Sequence, residues 1–150
     1  MSVSVQAKWE GGEPLRHFSV LKAMTAWGDA TGPYVRSLLK ERTPVVTGRM
    51  KESERYARTG YAAGIRLEWW AHTPYAKYVI YGTRPHIIEA RAARYLHWYS
   101  ASGGEHFAKR VKHPGNRPNP FPQEVMDAVK HEVVQDLRNR ISDALRRGNV

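Results

Sequence analysis

The chain contains no cysteine, which excludes disulfides and thiolate metal sites and suits a reducing cytoplasm. It has no stretch approaching the roughly 18 apolar residues of a membrane span. Its first ten residues, Met1 to Glu10, lack the basic start and apolar run of an export signal. The expectation is a soluble, unexported protein with no membrane partner. Absent too are a glycine-rich phosphate loop, a Ser or Cys nucleophile elbow and a cluster of acidic metal ligands. No catalytic residue, metal or cofactor is therefore expected, and the chain is read as a non-enzyme.

What is abundant is positive charge. The 150 residues carry a formal net charge of +10, and the excess is uneven. Residues 1–42 hold six Lys/Arg against four Asp/Glu, residues 43–121 hold thirteen against five, and residues 122–150 hold five of each. A basic middle, rather than a basic tail, can steer the chain toward nucleic acid or toward an acidic protein surface. The length suits one core of ordinary size.

Periodicity gives the plan. Residues 1–14, with Gly11-Gly12 and Pro14, read as a flexible N-terminal arm or a strand that orders on a partner, ahead of a single domain over residues 15–150. Val20, Leu21, Met24 and Trp27, then Val35, Leu38 and Leu39, recur at helical spacing. Gly32-Pro33 between them predicts two helices, about 16–30 and 33–42, with Thr31 capping the second. Pro44 and Gly48 then end the helical mode in a sharp turn.

From Met50 the period becomes two. Ile65, Leu67, Trp69 and Ala71 share one face of a strand, and Arg66, Glu68 and Trp70 the other. A polar strand over residues 51–58 turning at Thr59-Gly60 completes a hairpin that is either an edge or covered by another subunit. A second hairpin joins residues 95–99 to 105–111 through Ser102-Gly103-Gly104. Three prolines make residues 116–122 a loop, with Asn119 as a helix cap. Phe121, Val125, Val129, Val133, Leu137, Ile141 and Leu145 stripe a long final helix that Gly148 stops. The fold class is α+β: a small antiparallel sheet with N-terminal helices and a long C-terminal helix packed on it.

Five of the seven histidines, His72, His86, His97, His106 and His113, lie in the basic middle, but none has metal-ligand spacing. His86 and His113 beside Arg84 and Lys112 have the residue types of an acid-base phosphodiesterase, with no spacing that defines a site. Arg66, Trp69, Trp70, Tyr95, Trp98, Tyr99 and Arg110 interleave bases and aromatics as nucleic-acid strands do, although alternate aromatics must serve a core. Aromatics opposite the core face, Trp70 among them, point to protein interfaces. Thr47-Gly48-Arg49 and Gly82-Thr83-Arg84-Pro85 each place an arginine fork after a glycine turn.

Three segments in order resemble the siphophage neck and tail-completion family. They are Pro44-Val45-Val46-Thr47-Gly48-Arg49-Met50, Tyr75-Ala76 running to Gly82-Thr83, and Pro120-Phe121 before the last helix. Members of that family typically have an aspartate at the position of Val46 and a glutamate at that of Ile80. The likeness covers about residues 34–145. It implies a structural virion protein without catalysis, assembled in the host cytoplasm, that forms a homo-oligomeric ring at the head-tail junction or completes the tail. Its implied partners are copies of itself, other phage neck, connector and tail proteins, and packaged DNA threading the neck. Arg49, Trp70, Tyr75, Arg84 and His113 are the expected subunit-interface residues. The alternative reading is a basic nucleic-acid-binding module without catalysis.

Overall fold

The computed structural model describes residues 2–8, 14–61, 64–100 and 102–147. The chain divides into two compact units, one of Met1–Ala76 with Pro120–Val150 and one of Lys77–Asn119. Composition alone gave no sign of this division within residues 15–150.

In the first unit, β1 (Ser2–Lys8) precedes α1 (Pro14–Arg42), and the short α2 (Arg49–Ser53) leads into β2 (Glu54–Tyr61) and β3 (Gly64–Ala71). The strands form an antiparallel sheet in the order β1-β3-β2. Part of the expected N-terminal arm is thus a strand of this sheet, with Val5 opposite Leu67, while Gly11-Gly12 lie outside the described residues. Ile65, Leu67 and Trp69 are fully buried on one face of β3 and Trp70 lies on the other, as the alternation predicts. The predicted turn is displaced. Thr59 and Gly60 pair with Arg66 and Ile65 inside the ladder, which continues to Tyr61 opposite Gly64. Residues 51–53 belong to α2, not to the strand.

The break expected at Gly32-Pro33 does not occur, and α1 runs through it as one helix. Thr31, expected as a cap, is buried inside it. Val20, Met24, Trp27, Val35 and Leu39 form one buried stripe across the proline. Packing along that stripe outweighs the lost hydrogen bond, an instance of tertiary context overriding local preference. Gly28 and Gly32 let the helix sit close to the sheet: a Cβ at Gly32 would stand 2.3 Å from the Tyr56 ring, and one at Gly28 would stand 2.7 Å from Ile65 Cδ1. The Trp69 indole N–H donates to Gly32 O at 2.9 Å and fixes the register of helix on strand.

The long final helix, α4 (Phe121–Arg147), packs along α1. Phe121, Val125, Val129 and Val133 are buried, and Leu137, Ile141 and Leu145 are half-buried, so the stripe loosens toward the C-terminal end. Trp27 Nε1–H donates to Val133 O at 3.0 Å across the helix pair. Asn119 does not act as the predicted cap; its backbone N–H donates to Val79 O and Ile80 O. Gly148 lies outside the described residues. The architecture is α+β as predicted.

One buried carboxyl stands at the junction of α1 and β2. Glu54 is 5 % exposed. Its Oε1 accepts from the Thr43 hydroxyl, and its Oε2 is buried with no partner. Thr43 Oγ1 also donates to Leu39 O at 2.7 Å. The Thr43 hydroxyl thus serves two acceptors, Glu54 Oε1 and Leu39 O, with a single proton. Burial pushes the Glu54 carboxyl above its ordinary range, opposed by the Thr43 bond and by Lys40, Arg36 and Lys51.

Candidate interaction surface

The second unit holds most of α3 (Ala76–Tyr81) and four short strands: β4 (His86–Glu89), β5 (Leu96–Tyr99), β6 (Glu105–Ala108) and β7 (Arg110–His113). β4 pairs with β7 and β5 with β6. The predicted second hairpin is present at β5 and β6, but the pairing of residues 110–113 with β4 was not read from the sequence.

The two ladders are separate two-stranded sheets that follow each other along the chain as an interrupted antiparallel ribbon. Glu89 faces Arg110, Leu96 faces Ala108, and Ala90 N–H donates to Lys109 O at 3.0 Å between them. Residues 90–95 therefore form an irregular six-residue bulge in one strand, of which Ala90 bonds Lys109. At the tip, Ser100 N–H donates to Gly104 O at 2.8 Å and Gly103 takes φ 85°.

The other end is fastened by Thr83 and Asn116, whose backbones exchange N–H···O bonds of 3.0 and 3.2 Å. Asn116 N–H also lies 2.9 Å from Thr83 Oγ1. Two glycines permit this closure. Gly82 (φ 72°) and Gly115 (φ 86°) occupy left-handed backbone, and a Cβ on them would fall 2.5 Å from Asn116 O and 2.1 Å from Thr83 O. The Gly-Thr of the sequence motif is thus half of a clasp, and Gly115-Asn116 is the other half.

Side chains pair across both faces of the ribbon. His97 stacks on Phe107, with centroids 4.7 Å apart, and its Nε2 lies 2.8 Å from Glu105 Oε1. Trp98 stacks on His106 at 5.4 Å on the opposite face. His86 and His113 face each other with centroids 5.0 Å apart. The His86 Nδ1–H donates to Arg84 O at 2.8 Å, whereas His113 Nδ1 accepts from the Gly115 N–H at 3.1 Å. These bonds put a proton on Nδ1 of His86 and leave Nδ1 of His113 as an acceptor.

Ile87, Ile88, Tyr95, Trp98, Tyr99 and Phe107 remain exposed, Tyr99 at 66 % and Phe107 at 62 %. A two-stranded ribbon has no second layer with which to bury such side chains. The charge is as uncovered as the apolar surface. Residues 77–119 carry eight Lys/Arg against two Asp/Glu, and both acids are engaged inside the ribbon, Glu89 by Arg110 at 3.3 Å and Glu105 by His97. Among the described residues, Lys77, Arg84, Arg91, Arg94, Lys109, Lys112 and Arg117 form no ion pair.

The five sequence-predicted interface residues fall in both units. Arg84 and His113 meet at one end of the ribbon, linked through His86. In the first unit, Arg49 is exposed at the start of α2, just after Gly48 at φ 77°. Trp70 is half-buried on the outer sheet face opposite Ser2 and Arg55. Tyr75 is exposed in the turn before α3. No hydrogen bond or ion pair joins these last three among the described residues. Sequence reasoning missed Val46, which is 95 % exposed beside the exposed Val45 in the loop before α2. The signal was present in the sequence: two β-branched apolar residues next to a proline and a glycine turn.

Among the described residues no group of three or more His, Asp and Glu side chains converges as a metal site. No helix there is long and apolar enough to cross a membrane. Comparison with protein-family models, curated proteins and solved structures finds no match to this chain.

Proposed function

We propose that this chain is a structural subunit of a tailed-phage particle, forming a ring at the head-tail junction or completing the tail. The observation that carries the reading is the ribbon of residues 86–113, which exposes large apolar side chains on a two-stranded element unable to cover them itself. Neighbouring copies or companion proteins supply the missing cover. The bare Val45-Val46 loop and the outer sheet face bearing Trp70 offer two further contact points in the first unit. A subunit whose contact surfaces differ in this way associates head to tail, and such contacts close into rings when the rotation permits.

The resemblance of residues 44–50, 75–83 and 120–121 to neck and tail-completion proteins supplies the viral context. The tests are mass spectrometry of purified particles and deletion of the gene. The expected outcome is the protein in mature particles and, without it, heads and tails that fail to join. Its absence from particles, with normal assembly after deletion, refutes the reading.

A further inference from the structure

We propose that the ribbon is a duplex-DNA-binding element whose uncompensated cations hold backbone phosphates. The inference rests on the reading above for where DNA is met, but its chemistry comes from the ribbon alone. Six of the seven cations without an acidic partner lie on the ribbon or beside its clasp, where Glu89 is engaged by Arg110 and Glu105 lies against His97. These cations follow the length of the element. Arg84 and Arg117 flank the clasp, Lys112 lies in the β4-β7 ladder, and Arg91 and Arg94 stand in the bulge opposite Lys109.

Two ladders of four rungs each, at about 3.4 Å per rung, give two segments of roughly 14 Å with the bulge between them. Duplex DNA presents about one phosphate charge per 1.7 Å of axis. An elongated cationic array matches such a linear polyanion better than it matches a compact acidic patch on a protein. A two-stranded ribbon also has dimensions that the major groove admits.

The test is fluorescence anisotropy of a mixed-sequence 30-base-pair duplex with the full chain over a sodium chloride series. Contacts to four to six phosphates predict a slope of log K on log salt between roughly −3.5 and −5.5. Arg91→Glu/Arg94→Glu/Lys109→Glu should flatten the slope by about 2.7 and weaken binding about 100-fold at 100 mM salt. The neutral triple Arg91→Gln/Arg94→Gln/Lys109→Gln guards against misfolding from charge reversal and should flatten the slope equally. Lys130→Glu/Arg138→Glu/Arg146→Glu on α4 changes net charge by the same amount and should leave affinity within about threefold if contacts are confined to the ribbon.

Equal loss in the α4 variant would overturn the proposal in favour of diffuse charge attraction. A poly-glutamate chain binding as tightly as the duplex would overturn it in favour of an acidic protein partner. A chain found in particles but without salt-dependent duplex binding loses this inference and keeps the structural reading. Duplex binding by a chain absent from particles does the reverse.

Discussion

Replacing Gly115 with alanine separates two costs that usually come together. The residue sits at φ 86°, so any Cβ meets the penalty of left-handed backbone, about 1 to 2 kcal/mol. Gly103 has nearly the same angle, 85°, but no atom lies within 4 Å of its hypothetical Cβ, so Gly103→Ala reports that penalty alone. At Gly115 the Cβ would fall 2.1 Å from Thr83 O, with Arg84 backbone atoms at 2.9 and 3.1 Å. These are backbone atoms and cannot swing aside.

Relief requires the two strands to part, which sacrifices the 3.0 and 3.2 Å bonds between Thr83 and Asn116. Two net hydrogen bonds contribute about 1 to 3 kcal/mol. Gly115→Ala should therefore cost about 2 to 5 kcal/mol and Gly103→Ala about 1 to 2. Amide exchange at Thr83 and Asn116, followed by NMR or mass spectrometry, provides the assay, with chemical denaturation alongside it. The expected result is fast exchange at both amides in Gly115→Ala and unchanged exchange in Gly103→Ala. Equal destabilisation by the two substitutions, with the Thr83 and Asn116 amides still protected, would refute the clasp.

Three further outcomes follow from the first unit. Because burial raises the folded-state pKa of Glu54 above its ordinary value of 4.5, this residue favours folding fully below that value, and its contribution is lost as pH rises toward the raised pKa. Glu54→Gln should match the parent below pH 4.5 and exceed it in stability at neutral pH by denaturant titration; a variant less stable at both would contradict the assignment. Gly32→Ala should destabilise by about 1 to 3 kcal/mol through overpacking against Tyr56, and pairing it with Tyr56→Leu should recover part of the loss in a thermal melt. Val46→Asp should change the stability of the isolated chain by less than about 0.5 kcal/mol, since the side chain is almost fully exposed, while reducing incorporation into particles.

Segments with strong periodicity were legible in the sequence. The stripe from Phe121 to Leu145 and the alternation from Ile65 to Ala71 each follow one buried face, and both became the elements expected. Pro33 misled because its local cost is outweighed by a stripe of buried residues on both sides of it. Gly60 misled because a glycine permits a turn without requiring one; the tighter constraint is at Gly64, where a Cβ would meet Ala7 O.

The ribbon was harder to read for a physical reason. Every residue of β4 is exposed, so no buried face imprints a period on His86 to Glu89. Its partner strand lies more than twenty residues away across a bulge. Arg84 and His113 were singled out from separate motifs, and only the clasp and the His86-His113 contact bring them to one place. The Thr43-Glu54 contact was likewise hidden, since a glutamate at a strand start gives no sign that its carboxyl is buried.

The most direct test is hydrogen exchange over residues 86–113, compared between the free chain and the chain within purified particles. The account predicts rapid exchange in the free protein and strong protection in the particle, where copies or companions cover the ribbon. Slow exchange in an isolated monomer, or the same rapid exchange in both states, would contradict it.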